Sequence, residues 1–283
     1  VDVLGVPHPP GYPTYVLLGK LFSLLVPIGD IAHRLALFSA VCGAATVGFS
    51  VMIAGTIPTR RGSYSGRVLL ISGLALAVSP LLWSQSTIAE VYSPASTVLS
   101  ACLLLIVIRC ADGNGTRWLL PAAGFFLGLG AGLHLTVLFL GIAAGPALIV
   151  AGVRIREVAV GAGATAAGMS VFLLLPLLAA REPPIAWGAP VDLSGFLWTV
   201  TGAPYRDLLF AVPFGELPAR AAGVLGLLTR EIGAVGWLLA IWGGWRVWLS
   251  GPRWLIVLLG GLASLGLLYT LGYNSRDFVV YLI

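Results

Sequence analysis

The sequence predicts an all-α polytopic membrane protein, and three observations lead there. Hydrophobic residues make up 58% of the 283 residues and charged residues only 10%, where a soluble domain carries about 25% charged. Mean hydropathy is +0.99. The apolar residues fall in runs of about 20, the length that crosses a hydrocarbon core. Arginines cluster in short breaks between these runs, so the net charge of +5 reads as membrane topology and not as a nucleic-acid surface.

Taken in order, the chain opens on Gly5-Val6-Pro7-His8-Pro9-Pro10-Gly11-Tyr12-Pro13. Prolines at this density exclude helix interior and central strand, since each lacks an N–H and fixes φ. A stiff loop presenting His8 and Tyr12 is expected. Tyr15–Ile28, interrupted by Lys20 and Ser23, reads as a helix lying at the membrane interface. The first full span runs about 31–56, capped by Asp30, with Arg34 in its first turn. The second runs about 68–86, and the polar stretch around Glu90 and Tyr92 leads to a third at about 95–110.

Residues 118–153 would be about 54 Å long as one helix, against a core of about 30 Å. Arginines flank both ends, so two short spans meeting near His134 fit better, with a turn in Leu127-Gly128-Leu129-Gly130-Ala131-Gly132-Leu133-His134. A sixth span follows at about 158–180. The polar region 181–231 contains Tyr205, Arg206 and Asp207. Spans seven and eight run about 232–249 and 254–272. The whole of 1–283 therefore reads as one transmembrane domain with about eight complete spans.

This arrangement places Arg60, Arg61, Arg67, Arg109, Arg117, Arg154, Arg156, Arg246 and Arg253 on one side, with Asp112 and Glu157 as its acids. By the positive-inside rule that side is cytoplasmic. Residues 1–30 then form an extracytoplasmic loop and interfacial helix, and 181–231 an extracytoplasmic loop. Glu90, His134 and Arg276-Asp277 share their side. The sequon Asn114-Gly115-Thr116 falls on the cytoplasmic side and is expected to be unused.

Cys42, Cys102 and Cys110 are too scattered for a disulfide framework or a zinc site, and three separated histidines make no metal centre. No Gly-rich nucleotide loop appears, so neither metal nor cofactor is expected. The glycines of 124–145 read as close helix packing. The chain starts without Met or a signal peptide and stops within Phe278–Ile283. It is expected to be a piece lacking sequence at both ends.

The proline loop, the following Leu17-Leu18-Gly19-Lys20-Leu21-Phe22, Trp83-Ser84-Gln85-Ser86-Thr87-Ile88-Ala89-Glu90-Val91-Tyr92, and Gly130-Ala131-Gly132-Leu133-His134-Leu135-Thr136 resemble the protein-O-mannosyltransferase-like membrane family. The region 196–210, with Trp198, Gly202, Tyr205 and Arg206, resembles its later loop. The blocks occur in matching order. The resemblance implies a GT-C glycosyltransferase architecture with its active site on the extracytoplasmic face and a polyprenyl-phosphate-linked sugar as donor. The acceptor would be a protein Ser/Thr hydroxyl, a glycan or a lipid. It also implies a catalytic acid upstream of Val1, because Asp2 lies too close to His8 to take that place. The catalytic residue is thus unknown here, and Glu90 is the best carboxylate present.

Transfer from a lipid phosphate needs a carboxylate for the acceptor hydroxyl, donors for the leaving phosphate and a groove for the lipid. Membrane-edge ionisable groups are costly and so are functional candidates. Candidate substrate contacts are His8, Tyr12, Glu90, Tyr92, His134, Tyr205 and Arg206. Candidate phosphate ligands are Arg206, Arg34 and Arg276, since guanidinium geometry suits an oxyanion. Each has a structural alternative: His8 bracing its loop, Tyr12 anchoring at the interface, Glu90 capping a helix or pairing with Arg34, His134 packing, Arg206 pairing with Asp207. The rival functions are a transporter or flippase, which calls for broken helices and paired polar groups at mid-membrane, and a non-catalytic scaffold. The arginine bias and compact loops favour a bacterial inner membrane over the endoplasmic reticulum.

Overall fold

The computed structural model describes residues 1–57, 64–112 and 115–275. Arg60, Arg61, Asn114, Arg276 and Asp277 lie outside the described residues. Within them the chain is helical, apart from one isolated β-bridge between Val6 and Ala186. It is an all-α integral membrane bundle.

Helix α1 (Pro13–Leu25) begins on a proline and buries Thr14, Tyr15, Val16, Gly19 and Ser23. Its other face exposes Leu17, Leu18, Leu21, Leu24 and Leu25. At 13 residues it is about 20 Å long, too short to cross. Asp30 caps α2 (Ile31–Thr56), its carboxylate accepting the His33 amide at 2.8 Å. The second span is broken: α3 (Gly66–Ala77) and α4 (Pro80–Ser86) meet at 62°. Pro80 removes an intrahelical bond there and Ser79 restarts the helix as its cap.

Helix α5 (Tyr92–Asp112) is a full span. Then come α6 (Leu119–Ala131), a 3₁₀ turn (Leu135–Leu138) and α7 (Phe139–Val150). Helices α8 (Ile155–Met169) and α9 (Leu174–Ala179) join through a 3₁₀ turn into one span. After α10 (Leu193–Val200) come α11 (Leu217–Ser250) and α12 (Arg253–Gly272).

Each of the eight expected spans falls on helix. Five helices are long and apolar enough to cross a membrane, or six with the bent α3–α4 pair, while Leu119–Ala131 and Leu135–Val150 are shorter. The expected count therefore rests on two short helices either side of His134. Residues 217–232, expected as loop, are helical, and a break at Gly233 separates them from the expected seventh span.

Two devices hold the bundle together. The first is glycine-lined contact: a Cβ on Gly124 would lie 2.2 Å from the Gly161 carbonyl, and one on Gly128 would lie 2.1 Å from that of Thr165. Helices α6 and α8 approach this closely only because both lack side chains there. The second is hydroxyl bonding between α2 and α5. Ser93 Oγ donates to the Ser39 carbonyl and Thr97 Oγ1 to that of Cys42, each at 2.7 Å. These bonds pin the start of α5, and with it Glu90 and Tyr92, against α2.

Because the helices run up and down, their connections gather at two ends. One end holds the turns before α6 and α8. There Arg109, 3% exposed, pairs with Glu157 at 2.7 Å. The other end holds the proline loop, the α4–α5 and α6–α7 connections, residues 180–216 and the end of α12.

Candidate functional site

At that second end lies a cavity of about 750 Å³. The proline loop forms one wall because it is bonded on both flanks. On one side the Val6 amide donates to Ile185 at 2.9 Å, and the Trp187 amide returns to Val6 at 3.0 Å. Gly5 is required there, since a Cβ would stand 2.5 Å from the Ile185 carbonyl. On the other side Thr14 donates through Oγ1 to Leu129 at 2.6 Å and through its amide to Gly132 at 3.1 Å. Gly11, at φ +89°, turns the chain between these anchors. Tyr12 follows in the left-handed region at φ 42° and starts α1.

This clamping aims His8 into the cavity beside Tyr205. Its Nδ1 lies 3.2 Å from the Tyr205 hydroxyl and 3.1 Å from the Pro9 carbonyl. A carbonyl only accepts, so a proton on Nδ1 satisfies both, with the Tyr205 oxygen accepting. The His8 ring sits edge-on to Tyr12, with centroids 5.1 Å apart. Burial raises the Tyr205 phenol above its ordinary pKa, so it stays protonated at neutral pH.

Glu90 is exposed at the cavity rim, in the connection leading into α5. Among the described residues its carboxylate makes no hydrogen bond or ion pair, with Arg34 or otherwise. Next to it, Tyr92 packs against His134 with centroids 5.4 Å apart. His134 Nδ1 accepts the Thr136 amide at 3.3 Å and meets the Thr136 hydroxyl at 2.7 Å, which puts the proton of the neutral ring on Nε2. Burial, with a smaller push from His8, lowers its pKa to about 4. His134 is thus a neutral hydrogen-bonding group at pH 7.

Arg206 lies in the 3₁₀ turn Ala203–Leu208, started by Gly202 at φ +60°. Its guanidinium donates to Thr201 Oγ1, and among the described residues it forms no ion pair with Asp207. It borders the cavity and is exposed.

The structure thus brings His8, Tyr12, Glu90, Tyr92, His134, Tyr205 and Arg206 to the wall of one cavity. Arg34 is elsewhere: it donates to the Gly29 carbonyl at 2.9 and 3.2 Å and to that of Ser23 at 3.1 Å. A guanidinium at the end of α1 is drawn to its unpaired carbonyls. Sequence reasoning missed Tyr15, Gln85, Tyr269 and Tyr273, which also line the cavity. Tyr269 and Tyr273 stack at 5.0 Å and 13°; their spacing of four residues near a helix end was the available signal. Tyr15 looks like any other apolar-face residue, yet its hydroxyl is buried with no hydrogen-bond partner among the described residues. Among those residues no three His, Cys, Asp or Glu side chains come together as metal ligands would.

Known proteins add a family to this geometry. The model of the Protein O-mannosyl-transferase TMEM260 N-terminal domain family matches residues 2–157. That range includes the proline loop, Glu90, Tyr92 and His134, and excludes Tyr205 and Arg206. The chain is 31% identical over 114 residues to Protein O-mannosyl-transferase TMEM260 of Mus musculus, covering 40% of this chain and 15% of that protein. It is 32% identical over 92 residues to Protein O-mannosyl-transferase tmem260 of Dictyostelium discoideum, covering 31% of this chain and 10% of that one. The matched part is therefore a small fraction of either relative. No solved structure matches. With more than half its length matched, the chain belongs to the TMEM260 N-terminal domain family of protein O-mannosyltransferases.

Proposed function

We propose that the chain forms the sugar-transfer site of a GT-C-type membrane glycosyltransferase, which moves mannose from a polyprenyl-phosphate donor to a protein Ser/Thr hydroxyl. The convergence of His8, Glu90, His134, Tyr205 and Arg206 on one cavity, from segments scattered along the chain, carries this reading. Family membership supports a mannosyltransferase. The positive-inside pattern supports an extracytoplasmic active face. The expectation of a bacterial inner membrane draws no support from the relatives named above, which are eukaryotic.

In this proposal the acceptor oxygen attacks the anomeric carbon as its proton passes to a carboxylate. The bond from that carbon to the phosphate oxygen breaks, and polyprenyl phosphate leaves with inversion at the sugar. By the resemblance noted above, that carboxylate is a further acid, distinct from Glu90. Glu90, at the rim of the cavity, binds sugar hydroxyls. Arg206 gives up its bond to Thr201 to meet the phosphate, where a fixed charge counts most. His8 and Tyr205 close one wall, and neutral His134 donates from Nε2 without adding charge.

One observation favours the transporter reading: the α3–α4 break, with the Glu231 carboxylate 2.6 Å from Ser79, is the kind of interrupted helix that transporters use. The cavity that gathers these polar side chains nevertheless lies at one end of the bundle. The deciding experiment is transfer of label from radiolabelled polyprenyl-phosphate-mannose by the full-length protein in membranes, comparing wild type with Glu90→Gln and Arg206→Ala. Label on protein that both variants reduce supports the proposal. No transfer from mannose or any other polyprenyl-linked sugar overturns it in favour of transport.

A further inference from the structure

Helix α11 is two helices in direction. Gly233 sits at φ 62°, ψ −179°, a backbone state that helix excludes. The half before it, 217–232, is barely packed: Val224 is the buried residue of the whole helix. Polar contacts tie this half at both ends instead. Near its start, Arg220 Nε donates to the Thr270 carbonyl at 3.0 Å, and its Nη2 donates to the Tyr273 carbonyl. Near its end, the Glu231 carboxylate accepts the Ser79 hydroxyl at 2.6 Å and the Leu81 amide at 3.1 Å. Ser79 Oγ in turn accepts the Leu82 amide at 3.4 Å.

Each charge suits the helix end it touches. A cation meets the carbonyls closing α12, and an anion meets the amides opening α4. Both helices lead to the cavity, since Tyr269 and Tyr273 at the end of α12 line it, as do Gln85 in α4 and Glu90 just after it. About 16 Å of helix separates residues 220 and 231.

We infer that 217–232 is a strut, with Glu231 and Arg220 as positioning residues that fix the spacing of the Gln85–Tyr92 and Tyr269–Tyr273 walls. Neither residue touches substrate. The kinetic consequence rests on the transferase reading; the structural consequence does not. With the strut cut at Glu231, α4 loses partners for its opening amide and its Ser79 cap, and it swings on the Pro80 break. Gln85 then becomes more open to water, while the α5–α6–α7 core stays intact.

The test places a reporter thiol at Gln85 (Gln85→Cys) in the full-length protein and measures its labelling by a water-soluble maleimide in membranes. Native Cys102, 1% exposed in the core, is the control for unfolding. Adding Glu231→Ala is expected to speed Gln85→Cys labelling about tenfold, the weight of a lost charge-assisted hydrogen bond, with Cys102 still unlabelled. Glu231→Gln, which keeps an acceptor, is expected to lie between, and it carries the test if the alanine variant does not accumulate. Arg220→Ala, against an otherwise native background, is expected to raise the KM for the sugar donor more than it lowers kcat. Unchanged labelling in both Glu231 variants overturns the strut, as does Cys102 labelling rising in parallel. An inactive wild type that still shows the labelling difference overturns the transferase reading and leaves the strut standing.

Discussion

His8 and Tyr205 meet at 3.2 Å although 197 residues separate them. The contact joins the proline loop, inside the range matched by the family, to a segment beyond it, so the cavity is completed by a part of the chain that the family match does not cover. Tyr205→Phe keeps the ring against His8 and removes the hydroxyl. It is expected to cost about 1 kcal/mol of stability and to lower kcat/KM for sugar transfer by roughly tenfold. Thermal midpoints in detergent and transfer rates in membranes check both; an unchanged rate would place this contact outside the working site.

Glu90 lies at the rim of the cavity with no protein partner among the described residues, so its replacement leaves no buried group orphaned. Glu90→Gln is expected to accumulate and melt as wild type does, yet to lose ten- to a hundredfold in kcat/KM, the range for a hydrogen bond to a charged group. Equal loss of stability and activity would mark Glu90 as structural.

His134 gives a pH signature. Its folded pKa, about 4, is below the ordinary 6.5. Above pH 6.5 both folded and unfolded chains hold it neutral, so it has no effect on stability. As pH falls from 6.5 towards 4, the unfolded chain takes up a proton that the folded site refuses, and stability drops by up to about 3 kcal/mol. His134→Gln is expected to flatten that part of the stability–pH curve, with the neighbouring His8 left in place. A wild-type curve that the substitution does not change would show that the ring is not shielded from water.

The sequence was most legible where residue type forces geometry. Prolines around His8 exclude regular structure, and the glycines near His134 let the chain turn; both segments reach the cavity. Alternating arginine breaks revealed the up-and-down order of helices. Charge alone misled for Arg34, because a guanidinium near a helix end finds backbone carbonyls before it finds a ligand. It misled again for Glu231, which reads as loop because a carboxylate should not sit inside a span. Its tolerance depends on Ser79 and Leu81, 152 and 150 residues away, and no local pattern encodes that. Tyr15 and the Tyr269–Tyr273 pair were silent because an aromatic within an apolar helix looks the same whether it faces lipid or a cavity.

Gly128 tests the packing of α6 on α8. With the Thr165 carbonyl 2.1 Å from where a Cβ would be, a methyl group has no side chain to push aside, only backbone. Gly128→Ala is expected to destabilise by about 1–3 kcal/mol. It should also reduce sugar transfer, because α6 ends at Gly132 and Leu129, which hold Thr14 and the proline loop. The loss of activity should exceed that of a variant equally destabilised at the other end of the bundle.

That other end supplies the comparison. Arg109 and Glu157 have side chains 4% and 15% exposed and lie 2.7 Å apart, with Arg117 3.9 Å from the same carboxylate. Arg109 is buried with its bond to Glu157, so replacing one member, as in Arg109→Met, is expected to lower the thermal midpoint, because the remaining charge loses its partner at 2.7 Å. Exchanging both, Arg109→Met with Glu157→Leu, leaves no stranded charge and is expected to recover most of that loss. The pair lies at the end away from the cavity, so the double variant should transfer sugar at the wild-type rate once corrected for folded protein. Thermal midpoints of the two single variants and the double one form a complete cycle. Additive losses in that cycle would show that the two residues do not act on each other across the α5–α8 contact.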